Sequence, residues 1–178
     1  MKPLIISLAI NGRDNYIEKQ KKLIETLHLA GDCDTWILNE YPKGVTPHEI
    51  TPYKFKYDLI KQAYDTGYRK IFWLDSTMRL LKNPFELLDQ SKDGIVAFDN
   101  IGHPIYKYIT DLAVENLNCE NYLHNIKNTW GGALGFDFEN PNTMQILIDI
   151  HIQSEIGSFN NGISVREGFV AARHDQSV

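Results

Sequence analysis

The chain has 178 residues, room for one domain with a core of ordinary size. Hydrophobic residues at 43% and charged residues at 23% exclude disordered, collagen-like and disulfide-scaffold classes. Lys and Arg number 18 against 23 Asp and Glu, a net charge of −5 with no basic run or stripe, so nucleic acid is not an expected partner.

Cys33 and Cys119 stand alone without metal-ligand spacing, and the apolar run at 4–10 is too short for a signal-peptide core with its flanks. A reducing cytosol, or a virus-infected one, is the expected compartment. No stretch approaches the ~20 apolar residues that span a bilayer, so no membrane span is expected.

Residues 3–10 (PLIISLAI) form a near-continuous apolar run, the signature of a strand covered on both faces. Asn11, Gly12 and Arg13 break it, Asp14 is placed to cap a helix, and Tyr16, Ile17, Gln20, Leu23, Ile24 and Leu27 recur at helical spacing. Residues 33–38 (CDTWIL) predict a second strand. Residues 39–52 carry Pro42, Gly44, Pro47 and Pro52, and so predict an irregular loop of a length that usually serves as a lid or substrate edge.

Tyr53, Tyr57, Ile60 and Tyr64 predict a helix ending at Gly67, and residues 71–74 (IFWL) predict a buried strand that ends on Asp75. Asn83-Pro84 predicts the start of a short helix over 85–90, followed by a strand at 94–98. Ile105, Tyr108, Ile109, Leu112 and Leu117 predict a further helix. Residues 130–138 (WGGALGFDF) predict a glycine-containing strand, and Asn140-Pro141 opens a last helix through Leu147, Ile148 and Ile152. Residues 157–173 predict a loop. Strands alternating with helices mean an α/β domain with a mainly parallel sheet, whose ligands bind beyond the carboxyl ends of the strands.

Four groups of residues can carry chemistry. Asp75, in Trp73-Leu74-Asp75-Ser76-Thr77, is an acid at the end of a buried strand: it either serves a metal or diphosphate or simply opens a turn. Lys54 and Lys56 flank Phe55 at a helix start, where cations can meet phosphate oxygens, or else form a solvated face with Phe55 packed inward. Gly131 and Gly132 within a strand point to the close approach of a ligand or to a packing contact. Arg173-His174-Asp175-Gln176 concentrates groups able to bind hydroxyls, phosphate or metal, or it opens a helix at the surface. The glycine-rich, basic loop with which a nucleotidyltransferase cradles a triphosphate is reduced here to Gly12-Arg13, and Walker, dinucleotide and His-Glu-x-x-His motifs are missing.

Taken in order, these stretches resemble nucleotide-diphospho-sugar transferases of the GT-A fold, from large DNA viruses, phages and bacteria. The matching residues are Ser7-Leu8-Ala9 with Gly12-Arg13 and Asn15-Tyr16; Pro52-Tyr53-Lys54-Phe55-Lys56; Trp73-Leu74-Asp75-Ser76; 131–138 with Asn140-Pro141; and Arg173-His174-Asp175-Gln176-Ser177. The resemblance implies a single GT-A-like glycosyltransferase domain over 1–178, with a mainly parallel central sheet flanked by helices. A nucleotide-sugar donor, a UDP-sugar in preference to a GDP-sugar, would lie across the carboxyl edge of the sheet. Its sugar would pass to a glycan or glycoconjugate acceptor.

On this resemblance Ala9, Asn11, Arg13, Lys54 and Lys56 hold the nucleotide, Asp75, Ser76 and Thr77 the diphosphate, and Gly131 and Gly132 border the sugar and acceptor. Asp75 is the first acid of the Asp-x-Asp motif, and with Thr77 and His174 it would hold Mn2+ or Mg2+. Asp175 and Gln176 would face the anomeric carbon or the sugar hydroxyls, acting with Asp75 as catalytic residues. The sequence departs from the pattern in two places. Thr77 stands where the second acid is usual, a weaker neutral ligand, with Arg79 expected by strand alternation to share its face. The chain stops just after the His-Asp-Gln segment, so either further chain follows or the wall on the acceptor side is missing. The rival reading is a catalytically silent module that binds a sugar nucleotide or glycan.

Overall fold

The protein is described by a computed structural model covering residues 1–10 and 15–173. Five strands form one sheet in the order β2-β1-β3-β5-β4: β1 (Leu4–Leu8), β2 (Asp34–Leu38), β3 (Lys70–Leu74), β4 (Ile95–Pro104) and β5 (Lys127–Asp137). β1 pairs parallel with β2 and β3, while β5 pairs antiparallel with both β3 and β4. Four strands thus share a direction, as expected of a mainly parallel sheet, and β5 runs against them. Periodicity cannot reveal this reversal, since a buried apolar run reads alike in either direction.

Helices cover both faces. α2 (Lys54–Asp65) and α5 (Thr143–Glu155) pack on one, where Leu59, Ile60, Ala63 and Leu147 meet Leu4, Ile6, Trp73 and Leu134. Burying a side chain such as Leu59 or Ile60 completely contributes about 1.5–3 kcal/mol each. On the other face α1 (Tyr16–Ile24) and α3 (Phe85–Gln90) set Leu23, Phe85 and Leu88 against Ile5, Phe72 and Leu74. All five residues of β1 are buried, as a strand between two helical layers must be. A smaller apolar cluster, with Ile105, Ile109 and Val114 in it, lies beyond β4 around α4 (Asp111–Leu117).

The local signals act as the residues require. α2 ends in a Schellman arrangement, with the Gly67 N–H on the Tyr64 carbonyl and the Tyr68 N–H on the Ala63 carbonyl, and Gly67 adopts φ 108°. Asn83 and Asn140, each before a proline, accept the N–H two residues on, at 3.0 Å. Two expected helices are shorter. α1 stops at Ile24, with Leu27 in a separate 3-10 turn. The helix expected from Ile105 is broken by Thr110, whose hydroxyl caps α4 through the Ala113 N–H, so Ile105 falls in a 3-10 turn before it. No described helix is long and apolar enough to cross a membrane.

Candidate functional site

Chain order and sheet order part at β1: β2 lies on one side of it and β3 on the other. The segments leaving such neighbouring strands turn away from each other, which opens a crevice at the carboxyl ends. A cleft of about 420 Å³ occurs at this point, with Leu8 and Ile10 following from β1 and Asp75, Ser76 and Thr77 from β3. Aromatic rings make much of its wall: Tyr16 from α1, Tyr41 from the 39–52 loop, Tyr53 and Phe55 at the start of α2, and Trp73 of β3. The same loop adds His48 and Glu49.

At the end of the cleft a buried cation meets a carboxylate. The Lys56 side chain is 1% exposed; its Nζ donates to the Gly131 carbonyl at 2.8 Å and stands 3.6 Å from Asp75 Oδ1. The rings of Tyr53 and Trp73 lie 4.8 and 5.8 Å from the same nitrogen, so desolvation of the ammonium is offset by a carbonyl, a carboxylate and two π faces. Trp73 Nε1 donates to Asp75 Oδ1 at 2.7 Å, and the Asp75 N–H donates to the Gly132 carbonyl at 2.8 Å. Asp75 is therefore held at backbone and side chain, while its carboxylate stays 38% exposed to the cleft.

The entry to α2 carries backbone strain. Tyr53 adopts φ 62°, a left-handed conformation that costs a bulky residue about 1–3 kcal/mol. Its N–H donates to His48 Nδ1 at 3.2 Å and its ring meets that of His48 edge-on at 4.6 Å, contacts that offset the cost. The loop is tied in again by Tyr41, whose hydroxyl accepts the His48 N–H at 3.2 Å; burial raises this phenol above its ordinary pKa range, keeping it neutral.

The expected residues divide. Asp75, Ser76 and Thr77 line the cleft and Lys56 lies behind Asp75, with Gly131 and Gly132 tied to this pair through their carbonyls. Lys54 is elsewhere, its Nζ 3.6 Å from Glu155 of α5, because residues two apart on a helix point to different faces. Ala9 is buried with its N–H on the Leu38 carbonyl, and its neighbours Leu8 and Ile10 line the cleft. Arg79 does not follow from strand alternation: β3 ends at Leu74, and a turn closes from the Met78 N–H to the Asp75 carbonyl. Arg173 lies over the Tyr108 ring at 4.6 Å. Asn11, Arg13, His174, Asp175 and Gln176 lie outside the described residues.

Sequence reasoning missed the aromatic wall and the polar joint beneath it. Gln20, 1% exposed, donates to Ser7 Oγ at 3.1 Å and accepts from Asn39 Nδ2 at 2.9 Å, joining α1 to the ends of β1 and β2. A glutamine on the apolar stripe of a helix was the available signal, since a buried amide requires partners.

Among the described residues no three of His, Cys, Asp and Glu gather as metal ligands. Magnesium-type sites need only one or two carboxylates when substrate phosphates complete the shell. Both described partners of the Asp75 carboxylate take Oδ1, which leaves Oδ2, with Thr77 also in the cleft wall. This donor set fits an ion that arrives with a diphosphate.

Among solved structures, the chain is similar to a glycosyltransferase involved in the glycosylation of the major capsid of PBCV-1, with a TM-score of 0.52 and 15% identity over 89% of this chain and 70% of that one. It is also similar to the apo structure of WbbM, a bifunctional glycosyltransferase, with a TM-score of 0.48 and 13% identity over 88% of this chain; the match spans 34% of WbbM, about a third of its length. No family model matches the sequence, and no curated protein matches it. The α/β architecture, an open five-stranded sheet flanked by helices, is a fold shared with the first of these structures.

Proposed function

We propose that the protein is a glycosyltransferase of GT-A type that moves a sugar from a nucleoside-diphosphate sugar, a UDP-sugar in the first instance, to a glycan or glycoconjugate. The observation that carries this reading is the position of Asp75 at the end of an aromatic-walled cleft at the switch point of the sheet. Its volume, about 420 Å³, falls within the ~300–1,000 Å³ range of small-molecule sites. Planar rings such as Tyr16, Tyr41 and Phe55 suit a stacked base, and a fixed carboxylate suits ribose hydroxyls or a metal-bound diphosphate.

In the transfer, the bond from the anomeric carbon to the β-phosphate oxygen breaks, its electron pair leaving with the diphosphate. A bond from that carbon to the acceptor oxygen forms, and the proton of the acceptor hydroxyl passes to the departing diphosphate or to water. Lys56 helps to fix the Asp75 carboxylate in direction, so little reorganisation is needed when the donor binds. The indole of Trp73 blocks rotation of the same carboxylate. Asp75 and Thr77 are the residues that would hold Mn2+ or Mg2+, with His174 added on the family resemblance; the ion would stabilise negative charge on the departing diphosphate. Asp175 and Gln176 keep, on that same resemblance, the place beside the anomeric carbon.

One observation favours the second reading, a silent binding module: Asp75 is already paired to a cation and Thr77 supplies no second charge. A thermal-shift panel of UDP, GDP and their sugar conjugates, with and without Mn2+, tests nucleotide binding common to both readings. At about 100 times Kd a ligand adds about 2.7 kcal/mol, on the order of 5–10 °C for a domain of this size. No shift with any nucleotide contradicts the transferase reading and a silent module that binds a sugar nucleotide, and leaves a glycan-binding module.

A further inference from the structure

We propose that the indole of Trp130 is the platform on which the acceptor saccharide stacks, immediately beside Asp75. The proposal rests on the glycosyl-transfer reading above and gives its second substrate a seat.

The β3–β5 register pairs Trp73 with Leu134 and Leu74 with Ala133, so Asp75 comes opposite Gly132, as its 2.8 Å hydrogen bond to the Gly132 carbonyl requires. Trp130 and Gly132, two apart on a strand, project to one face. A Cβ at Gly132 would lie 2.8 and 2.9 Å from Cζ2 and Cε2 of Trp130, which means that the indole covers the place of the missing side chain. The ring thus lies over Gly132, opposite Asp75 on the neighbouring strand, in a place from which any side chain at 132 would push it.

That ring is not consumed by the core. Trp73 is 1% exposed and Trp36 is half-buried, but Trp130 is 38% exposed. Phe98, its partner on β4, is equally exposed and meets it edge-on with ring centroids 6.5 Å apart, enlarging the apolar surface. Trp130 does not line the donor cleft, so a nucleotide sugar can fill the cleft and leave the indole open. Asn128, two residues back on the same face, is buried with neither amide atom hydrogen-bonded to protein, a polar group still short of partners.

An exposed indole fits a pyranose because one face of that ring presents C–H groups with partial positive charge to the negative π face, while the rim of hydroxyls stays wet. An acceptor held there places a hydroxyl near the end of the donor cleft, at Asp75.

The test is a titration of 15N-labelled protein with maltose, cellobiose, lactose and N,N′-diacetylchitobiose, read at the three indole N–H signals and, so that the Trp130 variants can be compared, at the backbone amides of residues 127–133, with Trp130 identified from Trp130→Phe. The expected result is millimolar binding of at least one saccharide that moves the Trp130 signal. It should weaken at least tenfold in Trp130→Ala and in Gly132→Ala, which displaces the ring, and should survive in Trp130→Phe. The melting-temperature shift with UDP should stay the same in Trp130→Ala. Absence of a Trp130 response to all four sugars, or saccharide binding undiminished by Trp130→Ala, overturns the proposal. Failure of the donor reading is seen separately, as loss of the UDP shift in the unsubstituted protein.

Discussion

Lys56 and Asp75 stand 3.6 Å apart, Nζ to Oδ1, with the ammonium 1% exposed and the carboxylate open to the cleft. The pair lies between α2 and the end of β3, so the position of the acid is fixed by the packing of a helix on the sheet. A carboxylate on a strand-end turn otherwise rotates freely. Here its backbone, one oxygen and its charge are each engaged.

Replacing Lys56 with Met keeps an apolar side chain of similar length but removes the charge and the bond to the Gly131 carbonyl. A buried acceptor left unpaired costs about 1–3 kcal/mol, and the loss should appear in urea unfolding. Donor turnover should fall at least tenfold in the same variant, because Asp75 loses its anchor. An unchanged rate would show that the pair serves the fold alone.

Thr77 lies in the cleft wall next to Ser76 and presents a neutral hydroxyl. Thr77→Asp adds a charged oxygen to a site that has one carboxylate, so Mn2+ affinity measured calorimetrically with UDP present should rise on the order of tenfold, equivalent to about 1.4 kcal/mol. Equal affinity in the two proteins would remove Thr77 from the metal-binding set.

The buried strands, the Asn-Pro helix starts and the glycine stop at Gly67 were legible in the residues, because each depends on neighbours in the chain. Asp75 was legible for the same reason: the apolar run before it ends there. The direction of β5 was not, since pairing is decided between segments far apart in sequence. Lys56 was identified as a candidate but its burial was not, because lysine is usually exposed and only the packing of α2 on Trp73 encloses it. The reason for Gly132 was half legible. A strand glycine implies close approach, but that the approaching group is the indole of Trp130 needs the folded ring position.

His151 offers a check on the packing behind the cleft. It joins α5 to α2, with Nε2 3.3 Å from the Tyr57 carbonyl and Nδ1 3.6 Å from Asp58, which in turn accepts the Thr46 N–H of the cleft loop. Burial pushes this imidazole below its ordinary 6.5, against the opposing pull of Asp58 and the Tyr57 carbonyl and of Glu155, with Lys54 adding to the depression. The unfolded chain therefore takes up the proton first. The stabilising contribution is full above the unfolded pKa and is lost as pH falls through the folded value. Urea unfolding at pH 7.5 and pH 5.5 should show a larger loss for the native protein than for His151→Gln; equal losses would mean that His151 titrates alike in both states.

The most direct measurement of the central claim is release of UDP from UDP-sugars in the presence of Mn2+, by transfer or by hydrolysis, compared between the native protein and Asp75→Asn. The substitution keeps an oxygen to accept the Trp73 indole N–H and removes the charge. The native protein should release UDP from at least one UDP-sugar, and release should fall at least a hundredfold in Asp75→Asn, with UDP still bound. Near-native release by Asp75→Asn, or binding of UDP-sugars by the native protein without any release, would contradict it.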